Sequence, residues 1–170
     1  RLREQDRCDL AVPKLTAIQE LDPAVGTLLN LADCHELLGQ SASAWVRFRE
    51  ADALARRDGD ERRADFAAQR AEALSATLCK VTIVLAGAPE GVTVTRDGEA
   101  VAAAELGVAV PIDPGRVAIA ASAPGFEPWQ QQITLRPGEN VTAEVPALTP
   151  LRPAEVADTG PEPQLIAGAS

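Results

Sequence analysis

The sequence predicts an α+β protein in two modules, antiparallel helical hairpins followed by a small antiparallel β-sandwich of about seven strands. Two observations carry this. Before residue 80 the apolar residues recur at helical spacing, as in Leu28, Leu31, Ala32, Leu37 and Leu38. After it they alternate, as in Val92 and Val94, then Val108, Val110 and Ile112. A period near 3.6 and a period of 2 cannot share one element. The helical and strand segments are also not interleaved, which excludes a parallel α/β enzyme fold. The expected division is a helical unit over 1–79, a strand unit over 80–148 and a Pro/Ala-rich flexible tail over 149–170.

The first helix is expected over residues 2–20. Pro13 interrupts it, which predicts a kink or a separate turn, and Leu21-Asp22-Pro23 ends it. A second helix runs from about Val25 to Leu38 and stops at Gly39. Ser41 or Ser43 can cap a third, which reaches about Arg57. Asp58-Gly59 breaks it, and Asp60 caps a fourth running to about Leu78. The fourth helix carries a stripe of small residues, Ala64, Ala67, Ala68 and Ala71, with Leu74 and Leu78.

Strands are expected at 80–86, 92–97, 99–102, 108–112, 116–122, 128–136 and 140–147. Asp97-Gly98 is a two-residue hairpin turn, because both positions need positive φ. Asp113-Pro114-Gly115 and Arg136-Pro137-Gly138 are further turns. Inward faces would carry Val92/Val94, Val108/Val110/Ile112, Val117/Ile119/Ala121, Ile133/Leu135 and Val141/Ala143/Val145.

The formal net charge of the 170-residue chain is −9, carried by all three parts with no basic stripe. That argues against nucleic acid and anionic membrane surfaces as partners. Aromatic residues are few: Trp45, Trp129, Phe48, Phe66 and Phe126, with no Tyr. No apolar run of about 18 residues is present, so no membrane span is expected. No Met occurs, and Arg1 is expected to be a processing boundary, which leaves room for a signal peptide upstream. The cysteines, Cys8, Cys34 and Cys79, form no CxxC pair, so zinc and redox-motif readings lack support. They read as a Cys8–Cys34 disulfide in an oxidising compartment, as three small buried hydrophobes, or as a reactive thiol. His35 is the only histidine and has no cysteine or second histidine at ligand spacing. No nucleophile elbow, phosphate loop or metal cluster is visible, so neither catalysis nor a cofactor is expected.

The helices repeat. Ala11, Leu15 and Ile18 recur as Ala44, Phe48 and Ala51, close to the tetratricopeptide period of about 34 residues. Residues 8–78 resemble that family. Leu28, Leu31 and Ala32 stand at its W…LG positions, His35 at its Tyr position as a packing residue, and Gly39 at its turn glycine. Ala44, Phe48 and Ala51 fill the A…F…A positions of the second helix. The resemblance implies stacked helix pairs with a concave groove for an extended peptide. It makes Asn30, Asp33 and Glu36 the candidate partner-binding residues, with Asn30 at a position that grips a terminal carboxylate in some members. The Lys/Arg partners of such a clamp are not evident in the sequence.

The strand half resembles PEGA domains. Pro89-Glu90-Gly91-Val92-Thr93-Val94-Thr95-Arg96-Asp97-Gly98 is similar to that signature, a strand entering a DG hairpin. Asp113-Pro114-Gly115, Gly125-Phe126 and Arg136-Pro137-Gly138 follow in order. Val92 replaces the motif's Ala. The resemblance implies a non-catalytic spacer or interaction module of bacterial envelope proteins. Leu21-Asp22-Pro23 and Gly26 to Cys34 add a similarity to exported myxobacterial proteins of the same layout. The expected function is a periplasmic or envelope scaffold with an unknown protein or peptide partner. The alternative is a cell-wall glycan-binding module, for which Trp129 is the candidate contact.

Overall fold

The computed structural model describes residues 2–151, with side chains from Arg7 onward. The expected flexible tail therefore lies mostly outside the described residues. Four helices come first: α1 (Leu2–Leu21), α2 (Val25–Leu37), α3 (Ser41–Arg57) and α4 (Glu61–Ser75). Seven strands follow: β1 (Cys79–Leu85), β2 (Thr93–Arg96), β3 (Glu99–Ala100), β4 (Ala109–Ile112), β5 (Gly115–Ser122), β6 (Trp129–Leu135) and β7 (Asn140–Val145). A short 3₁₀ turn, Ala103–Glu105, precedes β4.

Each helix packs on the next in sequence. The core shared by α2, α3 and α4 holds Val25, Leu28, Phe48, Ala51, Leu54 and the alanine face of α4, Ala64, Ala67 and Ala71. Alanines there let α4 lie close to α3, since no long side chain separates the backbones. Gly39 takes φ +77° after α2, a left-handed conformation that a Cβ would strain. A disulfide joins Cys8 of α1 to Cys34 of α2, with Cα atoms 5.1 Å apart. It fastens the outermost helix to the stack.

Two expectations about the helices need correction. Helix α1 is a single element with Pro13 inside it, so the separate turn does not form. Pro13 and Asp9, the residue whose carbonyl loses its helical donor, are both exposed. Water can take the place of the missing bond there. Helix α4 ends at Ser75, so Leu78 is not helical; it is buried just before β1.

The strands form two sheets, β4-β1-β7 and β3-β2-β5-β6. Both contribute to one core: Val81, Ile83, Ala143 and Val145 from the first, and Val94, Val117, Ile119, Ala121 and Leu135 from the second. The Asp97-Gly98 turn has φ +51° and +87°, as a two-residue hairpin demands. The sandwich is not wholly antiparallel, because β1 pairs with β7 in parallel. The chain reaches β7 from the other sheet through the Arg136–Glu139 turn. Crossing between sheets sets its direction, where a hairpin on β1 would have reversed it. Val108, expected inside, is 52% exposed because β4 begins only at Ala109. The start of the expected tail is also part of the fold. Thr149 C=O accepts from Glu127 N–H, Leu151 N–H donates to Gly125 C=O, and Phe126 bridges Pro150.

The modules are joined by chemistry as well as by the chain. Asp113, in the turn between β4 and β5, caps helix α3. Its Oδ1 accepts from the Ala42 N–H (2.8 Å) and the Ser43 N–H (3.0 Å), and its Oδ2 from the Ser43 hydroxyl (2.5 Å). The local N-cap residue, Gln40, makes no side-chain cap bond. The first turn of α3 thus takes its acceptor from the sandwich, and a carboxylate there also meets the positive end of the helix dipole.

Candidate functional site

Helix α2 buries Val25, Leu28, Leu31 and Ala32. Asn30, Asp33 and Glu36 are exposed, at three-residue spacing along the helix. Helix α4 brings Arg70 to the same place. Its Nη1 lies 3.7 Å from Asp33 Oδ1, and its Nη2 is hydrogen-bonded to Glu36 Oε2. The guanidinium also stacks over Phe48 (5.0 Å) and Phe66 (5.8 Å), which themselves meet edge to face at 6.5 Å. Two aromatic faces and two carboxylates hold this arginine in one pose. Asp33, Glu36, Leu37 and Arg70 line a recess of about 370 Å³.

The electrostatics favour a cationic visitor. One guanidinium faces two carboxylates, so the recess keeps an excess of negative charge. Partial desolvation beside Arg70 and the helix surface pushes the Asp33 carboxyl above its ordinary range, and Glu36 adds to this; Arg70 pulls the other way and does not cancel it. A second positive group would relieve the like-charge contact.

Two of the three expected groove residues, Asp33 and Glu36, are therefore brought together, with Asn30 exposed one turn before Asp33. Their basic neighbour is Arg70, 34 residues after Glu36, which is engaged with both carboxylates and so is not the free clamp cation of a carboxylate-gripping groove. Trp129 stands elsewhere. It is half-buried at the start of β6 and packs against the sandwich core.

A second cleft, of about 450 Å³, lies where the modules meet; His35, Arg47, Arg96, Glu99 and Asp113 are among its lining residues. His35 Nδ1 sits 2.7 Å from Gln40 Oε1, and Arg47 and Arg96 pair with Glu50 and Glu105. His35, Arg47 and Arg96 are engaged in local bonds. Among the described residues no cluster of three or more His, Cys, Asp or Glu side chains could hold a metal ion, and no helix is long and apolar enough to cross a membrane.

A search of curated proteins finds no match to the chain. Against protein families, residues 80–149 match the PEGA domain, which covers the strands and none of the helices. PEGA domains are typical of extracellular and periplasmic proteins.

Proposed function

We propose that the protein is a non-catalytic interaction protein of the bacterial cell envelope, in which the α2–α4 face grips a partner segment bearing a positive charge. The observation that carries this is the held arginine between two exposed carboxylates. It presents a net-negative recess lined by Asp33, Glu36, Leu37 and Arg70, and such a recess selects a Lys or Arg side chain by charge. Asn30 extends the polar edge where a backbone amide of the partner would pass. The tetratricopeptide likeness of the helices supports the same face.

Exposure to an oxidising compartment is supported by the Cys8–Cys34 disulfide together with the PEGA match. In this reading the sandwich is a spacer or second contact surface. Because Asp113 caps α3, the sandwich presents the groove at a set angle. The glycan alternative has less support, since Trp129 spends much of its ring on core packing.

The test compares proteins crosslinked to the full chain in native envelope extract with those crosslinked to the Asp33→Lys/Glu36→Lys variant. The proposal expects specific adducts to be lost while folding, read by circular dichroism, is kept. An unchanged adduct set would sink it.

A further inference from the structure

The two sheets have four edge strands, and three are protected against pairing with another chain. Strand β3 has two residues, β4 carries Pro111 and lies against α3, and β7 carries Glu144 among exposed positions. Strand β6 has none of these devices. Trp129-Gln130-Gln131-Gln132-Ile133-Thr134-Leu135 is seven residues long, with no charge and no proline. Among the described residues its only pairing partner is β5. The sandwich is also open along it. Trp129 and Ile133 lean toward the core yet stay half-buried, and Gln131, on that same side by alternation, is exposed.

We propose that a second copy of this chain closes this edge by antiparallel β6–β6 pairing about a two-fold axis at Gln132. The strand is self-complementary in that register. Gln132 faces Gln132 and Gln130 faces Thr134 on the outer side, so side-chain amides and hydroxyls meet and no charges are opposed. On the inner side Gln131 faces Ile133, which covers the exposed part of the isoleucine. The flanks are complementary too. Exposed Arg136 at the end of one β6 approaches exposed Glu127 before the start of the other, once at each end. Two copies of a chain with net charge −9 repel over most of their surface, and this neutral strand with opposite charges at its ends is where they can approach.

The test uses the 170-residue chain over a wide concentration range, with sedimentation for mass and amide hydrogen exchange for β6. The proposal expects dimer at high concentration and protection of residues 129–135 that rises with it. Gln132→Pro and Gln132→Lys should each leave monomer at every concentration. Gln132→Cys should give an intermolecular disulfide on mild oxidation, and Asn140→Cys, on another edge, should not. These cysteine variants keep the test readable if the proline variant fails to fold. Monomer with unprotected β6 at high concentration would overturn the proposal, as would β6 protected equally at all concentrations, which would mean the chain covers its own edge. A dimer unaffected by both Gln132 edge substitutions would also overturn it.

Discussion

Replacing Asp113 by alanine should uncouple the two modules. The change leaves the Ala42 and Ser43 N–H groups and the Ser43 hydroxyl without their acceptor. Loss of an N-cap costs about 0.5–2 kcal/mol, and hydrogen bonds to a charged group are worth about 1.5–3 kcal/mol. Asp113 is half-buried, so water recovers part of this, and about 2 kcal/mol is expected overall. Ser43→Ala removes one of the three bonds and should cost about 1 kcal/mol. The two residues share a bond, so the double variant should cost less than the sum, by about 1 kcal/mol. Urea unfolding reads this with a probe in each half, since Trp45 lies in α3 and Trp129 in β6. In the parent protein both probes should move together; in Asp113→Ala the midpoints should separate. Asp60→Ala is the control, because Asp60 caps α4 locally through the Arg63 N–H at 3.1 Å. It should cost about 1 kcal/mol without separating the probes. A loss below about 0.5 kcal/mol for Asp113→Ala, with strictly additive behaviour beside Ser43→Ala, would refute the cap as the joint.

Three further outcomes follow from the same structure. Closing a 26-residue separation, the Cys8–Cys34 disulfide should contribute about 3.5 kcal/mol in the chain-entropy account, so Cys8→Ser/Cys34→Ser should lower the unfolding free energy by about that much, read in urea without reductant. Partial desolvation raises the Asp33 carboxyl, so the native protein holds that proton to higher pH than the unfolded chain. The associated stabilisation is present below the ordinary carboxylate range and lost as pH rises through Asp33's own range. Asp33→Asn should therefore gain on the parent as pH rises out of the ordinary carboxylate range, and urea midpoints that diverge in the opposite sense would contradict the raised carboxyl. Leu148 is buried at 6% exposure, so Leu148→Ala should cost about 2–3 kcal/mol and lower the sandwich transition, and a transition left unchanged would contradict its place in the core.

The elements that were legible in the sequence are those whose causes are local. Pro23, Gly39 and Asp58-Gly59 end helices through their own backbone preferences, and Asp97-Gly98 makes its hairpin the same way. Alternation located the strands but could not say which neighbour each would take, so the parallel β1–β7 pair was hidden. Val108 shows the same limit, since its inward reading depended on a strand start that the pairing with β1 does not reach. The site divides similarly. Asp33 and Glu36 share a face by helical spacing alone, but Arg70 joins them only when α4 packs on α3 and its side chain reaches α2. Asp113 looked like a turn residue, and its capping role spans 70 residues of sequence. Thr149 to Leu151 read as tether because their composition is poor in large apolar groups, while backbone bonds to Gly125 and Glu127 hold them.

The central claim is that the α2–α4 face receives a partner. A photo-crosslinking side chain placed at Asn30, on that face, and separately at Glu90, an exposed position outside the helices, tests it most directly in native envelope. The account predicts a defined adduct from position 30, abolished by Asp33→Lys/Glu36→Lys, and none of that mass from position 90. The same adduct from both positions, or from position 90 alone, would contradict it.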